Sequence, residues 1–67
     1  MLLLLSLATG PMYKHEVGDF ACIYRVPETI YIYDRSILNG QRIYYGYNSR
    51  GRDWKVSEVM LIAGKCE

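Results

Sequence analysis

The stretch Ile37-Leu38-Asn39-Gly40-Gln41-Arg42-Ile43-Tyr44-Tyr45-Gly46-Tyr47 decides the fold. Asn39-Gly40 is the strongest local signal in the chain. Asn and Gly tolerate the paired positive φ angles of a type I′ turn, whose twist matches that of the strands on either side. It joins the end of a second strand to a third, Gln41 to Tyr47. In that third strand Ile43, Tyr45 and Tyr47 share one face, with Arg42 and Tyr44 opposite.

Upstream, Thr29 to Asp34 reads as the second strand, with Ile30 and Ile32 on one face and Tyr31 and Tyr33 on the other. A first strand, Gly18 to Arg25, ends at Pro27, because proline fixes φ and has no N–H to give a ladder. Phe20, Cys22 and Tyr24 fall together on it. Downstream, Asn48-Ser49-Arg50-Gly51-Arg52 is a polar turn. Asp53 to Val56 forms a fourth strand with Trp54 and Val56 on one face. Ser57-Glu58 suits a short 3₁₀ turn, and Leu61-Ile62 a last strand that closes on the first. No helical stripe survives from Val17 onward. Four to five short strands with tight turns predict an all-β chain, a small SH3-like antiparallel barrel whose curl protects its edges. The predicted core is Val17, Phe20, Cys22, Ile30, Ile32, Ile43, Tyr45, Val56, Val59 and Leu61.

Sixty-seven residues allow one small domain and no deep cofactor cleft. Eight Lys plus Arg balance seven Asp plus Glu, which argues against an electrostatic nucleic-acid binder. Met1 to Ala8 is almost wholly apolar, and Gly10-Pro11 breaks whatever it forms. It is far short of the ~20 residues a membrane span needs. Three readings stay open: an element that packs on the domain, an extension upstream of a second start at Met12, or a degenerate signal. The chain therefore divides into an apolar N-terminal extension, 1–11, and a barrel domain, 12–67. Cys22 and Cys66 set no disulfide framework; two free thiols in a reducing, cytoplasmic or nuclear setting are expected, with a single bridge as the alternative in an oxidising one.

The catalytic inventory is thin. His15, on the N-terminal arm, is the one histidine and is expected at the surface; no second ligand stands at metal spacing, and the carboxylates are scattered. Cys22 with His15 is the one conceivable nucleophile–base pair, but Cys22 sits in an apolar alternation and reads as a small core residue. A non-enzymatic role without cofactor or metal is expected. The outlier is aromatic: seven Tyr, one Trp and one Phe. A small barrel cannot bury them all, so several rings must lie at the surface, where aromatics with polar tips serve recognition.

The segment Tyr44-Tyr45-Gly46-Tyr47-Asn48-Ser49-Arg50-Gly51-Arg52-Asp53-Trp54 resembles the chromo-barrel subgroup of the Tudor-like family. Tyr44, Gly46, Tyr47, Asn48, Arg50, Asp53 and Trp54 match its pattern, and Val17-Gly18 is similar to the start of its first strand. Arg52 stands where the family has an acidic residue, Gly51 where some members place a further aromatic, and Ile43 where histidine is frequent. The resemblance implies an SH3-like barrel and a methyl-lysine-type cage. Tyr44 and Tyr47 would be members of the cage, with Tyr24 or Tyr31 as a third.

These readings predict an interaction module that meets a protein surface or peptide through Tyr24, Tyr31, Tyr44, Tyr47 and Trp54, rimmed by Arg42, Arg50 and Arg52. Tyr44 is expected to point outward. The alternatives are a nucleic-acid-binding barrel using those arginines, a small bacterial or phage accessory protein that modulates a larger partner, and self-association through the aromatics.

Overall fold

The computed structural model describes residues 12–67; the expected N-terminal extension lies outside the described residues. The strands are β1 (Phe20–Ile23), β2 (Glu28–Leu38), β3 (Gln41–Tyr47), β4 (Asp53–Ser57) and β5 (Leu61–Ala63), with a 3₁₀ turn, Glu58–Met60, before β5. All neighbours pair antiparallel in one sheet of order β4-β3-β2-β1-β5. The last strand pairs with the first, as Leu61-Ile62 predicted, through Ile23↔Leu61 and Cys22↔Ile62. No pairing joins β4 to β5, so the sheet is open where a closed barrel was expected. Among the described residues no helix is long and apolar enough to cross a membrane.

The Asn39-Gly40 turn forms as read. Both residues have positive φ, 51° and 78°, and Leu38 pairs with Gln41 across a two-residue loop. Gly40→Val should lose about 1–3 kcal/mol, because a β-branched residue is strained at φ > 0. Thermal melting checks this; a variant that melts like the parent would remove the turn from the account of strand register.

The second strand runs four residues past the Asp34 expected as its end, to Leu38. Arg35 and Ser36 hide this extension in the sequence, since they interrupt the apolar alternation. A register irregularity between Ile32 and Asp34 leaves Tyr33 as an extra residue. Such a bulge flips the parity of the residues beyond it, so Arg35 rather than Asp34 lies beside Tyr44.

One face of the sheet carries the main core. Ala21, Ile23, Ile30, Ile32, Tyr44, Val56 and Leu61 form its cluster, with Tyr13, Trp54 and Met60 packed against them. The N-terminal arm covers this face. The Tyr13 and His15 rings meet Tyr44 edge-on at 6.0 and 5.1 Å. Arg35 stacks its guanidinium 4.2 Å from the Tyr13 ring and donates to the His15 carbonyl at 2.7 Å. His15, expected at the surface, is therefore buried.

Three predicted core residues lie outside. Phe20 is 43%, Val17 52% and Val59 78% exposed. In β1 the alternation is apolar on both faces, and Ala21 and Ile23 face inward while Phe20 faces out. Val17 lies in the approach to β1, and Val59 in the 3₁₀ turn with its side chain toward solvent. Ile30, Ile32, Val56 and Leu61 are core as expected. Cys22 and Ile43 are buried on the other face, where Tyr45 is half-buried.

The cysteines correct another expectation: Cys22 and Cys66 form a disulfide, with Cα atoms 4.9 Å apart. Neither is a free thiol. The pairing needs the tail beyond β5 to fold back along β1. Gly64 N–H donates to the Phe20 carbonyl at 3.1 Å, and Cys66 N–H to Thr29 Oγ1 at 2.8 Å.

Candidate functional site

The face opposite the core carries a row of four rings, three exposed and one, Tyr31, half-buried. Phe20 and Tyr31 are direct partners across β1 and β2, and Tyr31 and Tyr47 across β2 and β3. Direct cross-strand partners share a face, so the register alone builds the row. Phe20 meets Tyr31 edge-on at 5.7 Å, Tyr31 meets Tyr47 at 5.4 Å, and Tyr33 stacks on Tyr47 at 5.8 Å with their planes 25° apart. Phe20, Tyr33 and Tyr47 are each more than 40% exposed. Rings that pack on one another rather than in a core are held in place yet stay open to a partner.

Beside the row runs an open groove of about 550 Å³, with Phe20, Tyr31 and Tyr47 along it and Pro27, Asn48 and Lys65 among its other walls. The disulfide holds the tail wall. Lys65 lays its ammonium 4.7 Å from the Phe20 ring centre. Partial desolvation first, then the nearby Asp53 and Asp34 carboxylates, hold the Tyr33 hydroxyl above the usual phenol range.

Of the five expected contact residues, only Tyr31 and Tyr47 reach this face. Tyr44 is a correction: it is fully buried, because it shares the inward face of β3 with Gly46. Its hydroxyl donates to Glu58 at 2.6 Å and accepts the backbone N–H groups of Lys14 and His15 at 3.1 and 3.2 Å. Burial raises its pKa, and the Glu58 hydrogen bond adds to that. Burial alone would raise Glu58 too. The hydrogen bonds from Tyr44 and Lys14, with the Arg42 charge, outweigh it and hold the carboxyl below its usual range. Trp54 also faces the core side, opposite Gly46, half-buried. Tyr24 is exposed in the turn after β1, and it takes no part in the ring row.

The arginines do not converge on the row. Arg42 pairs with Glu58 at 3.3 Å and Arg50 reaches Glu28 at 3.9 Å. Arg52 lies 5.6 Å from the Trp54 ring centre.

Sequence patterning does not single out Phe20 and Tyr33 as contact residues. It places Phe20 in the core, and it sets Tyr33 opposite Ile32 without giving it a role. The signal for Tyr33 is nonetheless present: Tyr31 and Tyr33 share a face of the second strand, and a face of two large rings needs either cover or a partner.

The residues that carry the Tudor-like resemblance mostly hold the fold. At Gly46 a Cβ would stand 2.7 Å from the Tyr31 carbonyl oxygen, so only glycine fits between β3 and β2. Asn48 is buried, and its Oδ1 accepts from the N–H groups of Arg50 and Arg52 at 3.0 and 2.9 Å. Gly51 takes φ 79° in the same turn. Compared with known protein families, with characterised proteins and with solved structures, the chain matches none.

Proposed function

We propose that this chain is a non-enzymatic binding module that seats a protein surface or extended peptide on the face built by Phe20, Tyr31, Tyr47 and Tyr33. The observation that carries the reading is the continuous row of four packed rings, three of them exposed and Tyr31 half-buried, beside an open groove. Exposed aromatics of this kind are the usual anchors of protein interfaces.

Kinship with SH3-like, Tudor-type barrels belongs to the same proposal. Its support is the strand order, with a 3₁₀ turn ahead of a last strand that pairs with the first. A methyl-lysine-type cage is not the ligand site we favour. Tyr44 belongs to the core, and the exposed rings run in a line rather than around a point. The arginine positions give a nucleic-acid ligand no specific support. The Cys22–Cys66 bond favours an oxidising compartment over the reducing one expected from the cysteine count.

The test is selection of peptides from a displayed library against the oxidised protein, followed by affinity measurements on Phe20→Ala and Tyr47→Ala. Both side chains are exposed, so melting should change by less than about 1 kcal/mol while binding weakens by about 1–3 kcal/mol. No captured peptide, or captured peptides indifferent to both substitutions, would sink the assignment. Affinity for single-stranded DNA that falls steeply with salt would transfer it to nucleic acid.

A further inference from the structure

The β4 strand is an edge of the sheet. Its outer backbone groups have no partner among the described residues. Natural sheets protect such edges with short strands, charged side chains, proline, bulges or covering segments, because a bare edge templates pairing with another chain. Asp53–Ser57 contains no proline and pairs with β3 without irregularity; its two charges, Asp53 and Lys55, are of opposite sign, so they repel a second copy in some registers and attract it in another.

The order of side chains on this edge is self-complementary. Asp53 and Lys55 lie on the same face, flanking Trp54 on the other. Both charged residues are exposed, and neither forms an ion pair among the described residues. Suppose a second copy pairs antiparallel, with Trp54 opposite Trp54. Asp53 of each chain then stands opposite Lys55 of the other, giving two symmetric ion pairs from one register. A shift that centres the pairing on Lys55 would oppose two ammonium groups, and centring it on Asp53 would oppose two carboxylates. Like charges directly opposite destabilise a strand pair, whereas opposite charges stabilise it. Of these three registers the charges favour the one centred on Trp54.

A second observation falls at the same place. The Trp54 indole N–H is buried without a hydrogen-bond partner. Unsatisfied buried donors are uncommon, and this one lies on the core-facing side of the same edge strand.

We propose that β4 pairs with β4 of a second copy about a two-fold axis at Trp54, joining two five-stranded sheets into one. The interface is isologous, the form that closes a dimer. It uses the β4 edge rather than the rings themselves, and it adjoins the row through Asp53, the cross-strand partner of Tyr47.

The test is the oligomeric state of the full chain by sedimentation equilibrium, across about two decades of concentration. A concentration-dependent dimer is expected. Lys55→Asp sets Asp53 opposite a second aspartate and should weaken dimerisation about ten-fold or more. Asp53→Lys should do the same by opposing two ammonium groups. The double exchange, Asp53→Lys with Lys55→Asp, restores both ion pairs and should recover dimerisation to near the parent level. Intramolecular roles of either residue would not be rescued in that way. A monomer at every concentration overturns the proposal. So does a dimer unchanged by Lys55→Asp, or a double exchange that stays as weak as the single variants. Circular dichroism of each variant shows whether the sheet is intact; a single variant unfolded as a monomer would overturn the assignment of these side chains to an interface.

Discussion

Tyr44→Ala is expected to lose about 3–5 kcal/mol of stability, while Tyr45→Ala loses about 1 kcal/mol. Tyr44 is among the largest fully buried side chains. Removing its ring leaves a cavity in the cluster it shares with Ile30, Ile32 and Val56. It also removes the aromatic partner of Tyr13 and His15 and the hydroxyl that takes two backbone N–H groups. Tyr45 sits on the other face, half-buried, its hydroxyl 3.5 Å from Ser36. Denaturant unfolding of the two variants side by side makes the comparison. Equal losses, or the larger loss at Tyr45, would mean that β3 presents the opposite face to the core.

Tyr44→Phe separates packing from hydrogen bonding. It keeps the ring but strands Glu58 and the arm amides, so about 1–3 kcal/mol is expected. The Glu58 carboxyl is held below its usual pKa, so its contribution has a definite pH sign. A carboxyl with a depressed folded-state pKa stabilises above its unfolded value and loses that contribution as pH falls through the folded one. The difference between parent and Tyr44→Phe should therefore shrink below the ordinary glutamate range.

Loss of the disulfide is the second large effect. Cys22 and Cys66 are separated by 44 residues. Closing a loop of that length removes conformational entropy from the unfolded chain worth about 4 kcal/mol. A domain this small has a net stability of only a few kcal/mol. The double variant Cys22→Ala, Cys66→Ala should therefore be largely unfolded at 37 °C, or melt far below the parent. Intact-mass measurement of the parent should find the chain two hydrogens lighter than the dithiol. A dithiol mass, or a double variant as stable as the parent, would overturn the bond as a staple of this fold. The groove depends on the same bond, since its tail wall follows β5 into Cys66.

Local chemistry is legible in the residues. Asn39-Gly40 permits positive φ at both positions, so the hairpin and the bounds of β3 can be read directly. Pro27 marks the break between β1 and β2, and Leu61-Ile62 the strand that returns to the first. Alternation supplies parity as well: Tyr31 opposes Ile30 and Ile32, Trp54 sides with Val56, and Tyr44 opposes Tyr45. Alternation cannot supply the sign. In β1 and β3 both parities are apolar, so period-two patterning leaves two equal solutions. The choice falls to partners distant in the chain. Tyr44 turns inward because Lys14, His15 and Glu58 satisfy its hydroxyl there, and because Gly46 lets β3 approach the Tyr31 backbone. The bulge at Tyr33 and the Cys22–Cys66 bond belong to the same class. Each depends on where a remote strand or tail arrives, so only the assembled sheet moves the candidate surface from Tyr44 and Trp54 to Phe20 and Tyr33.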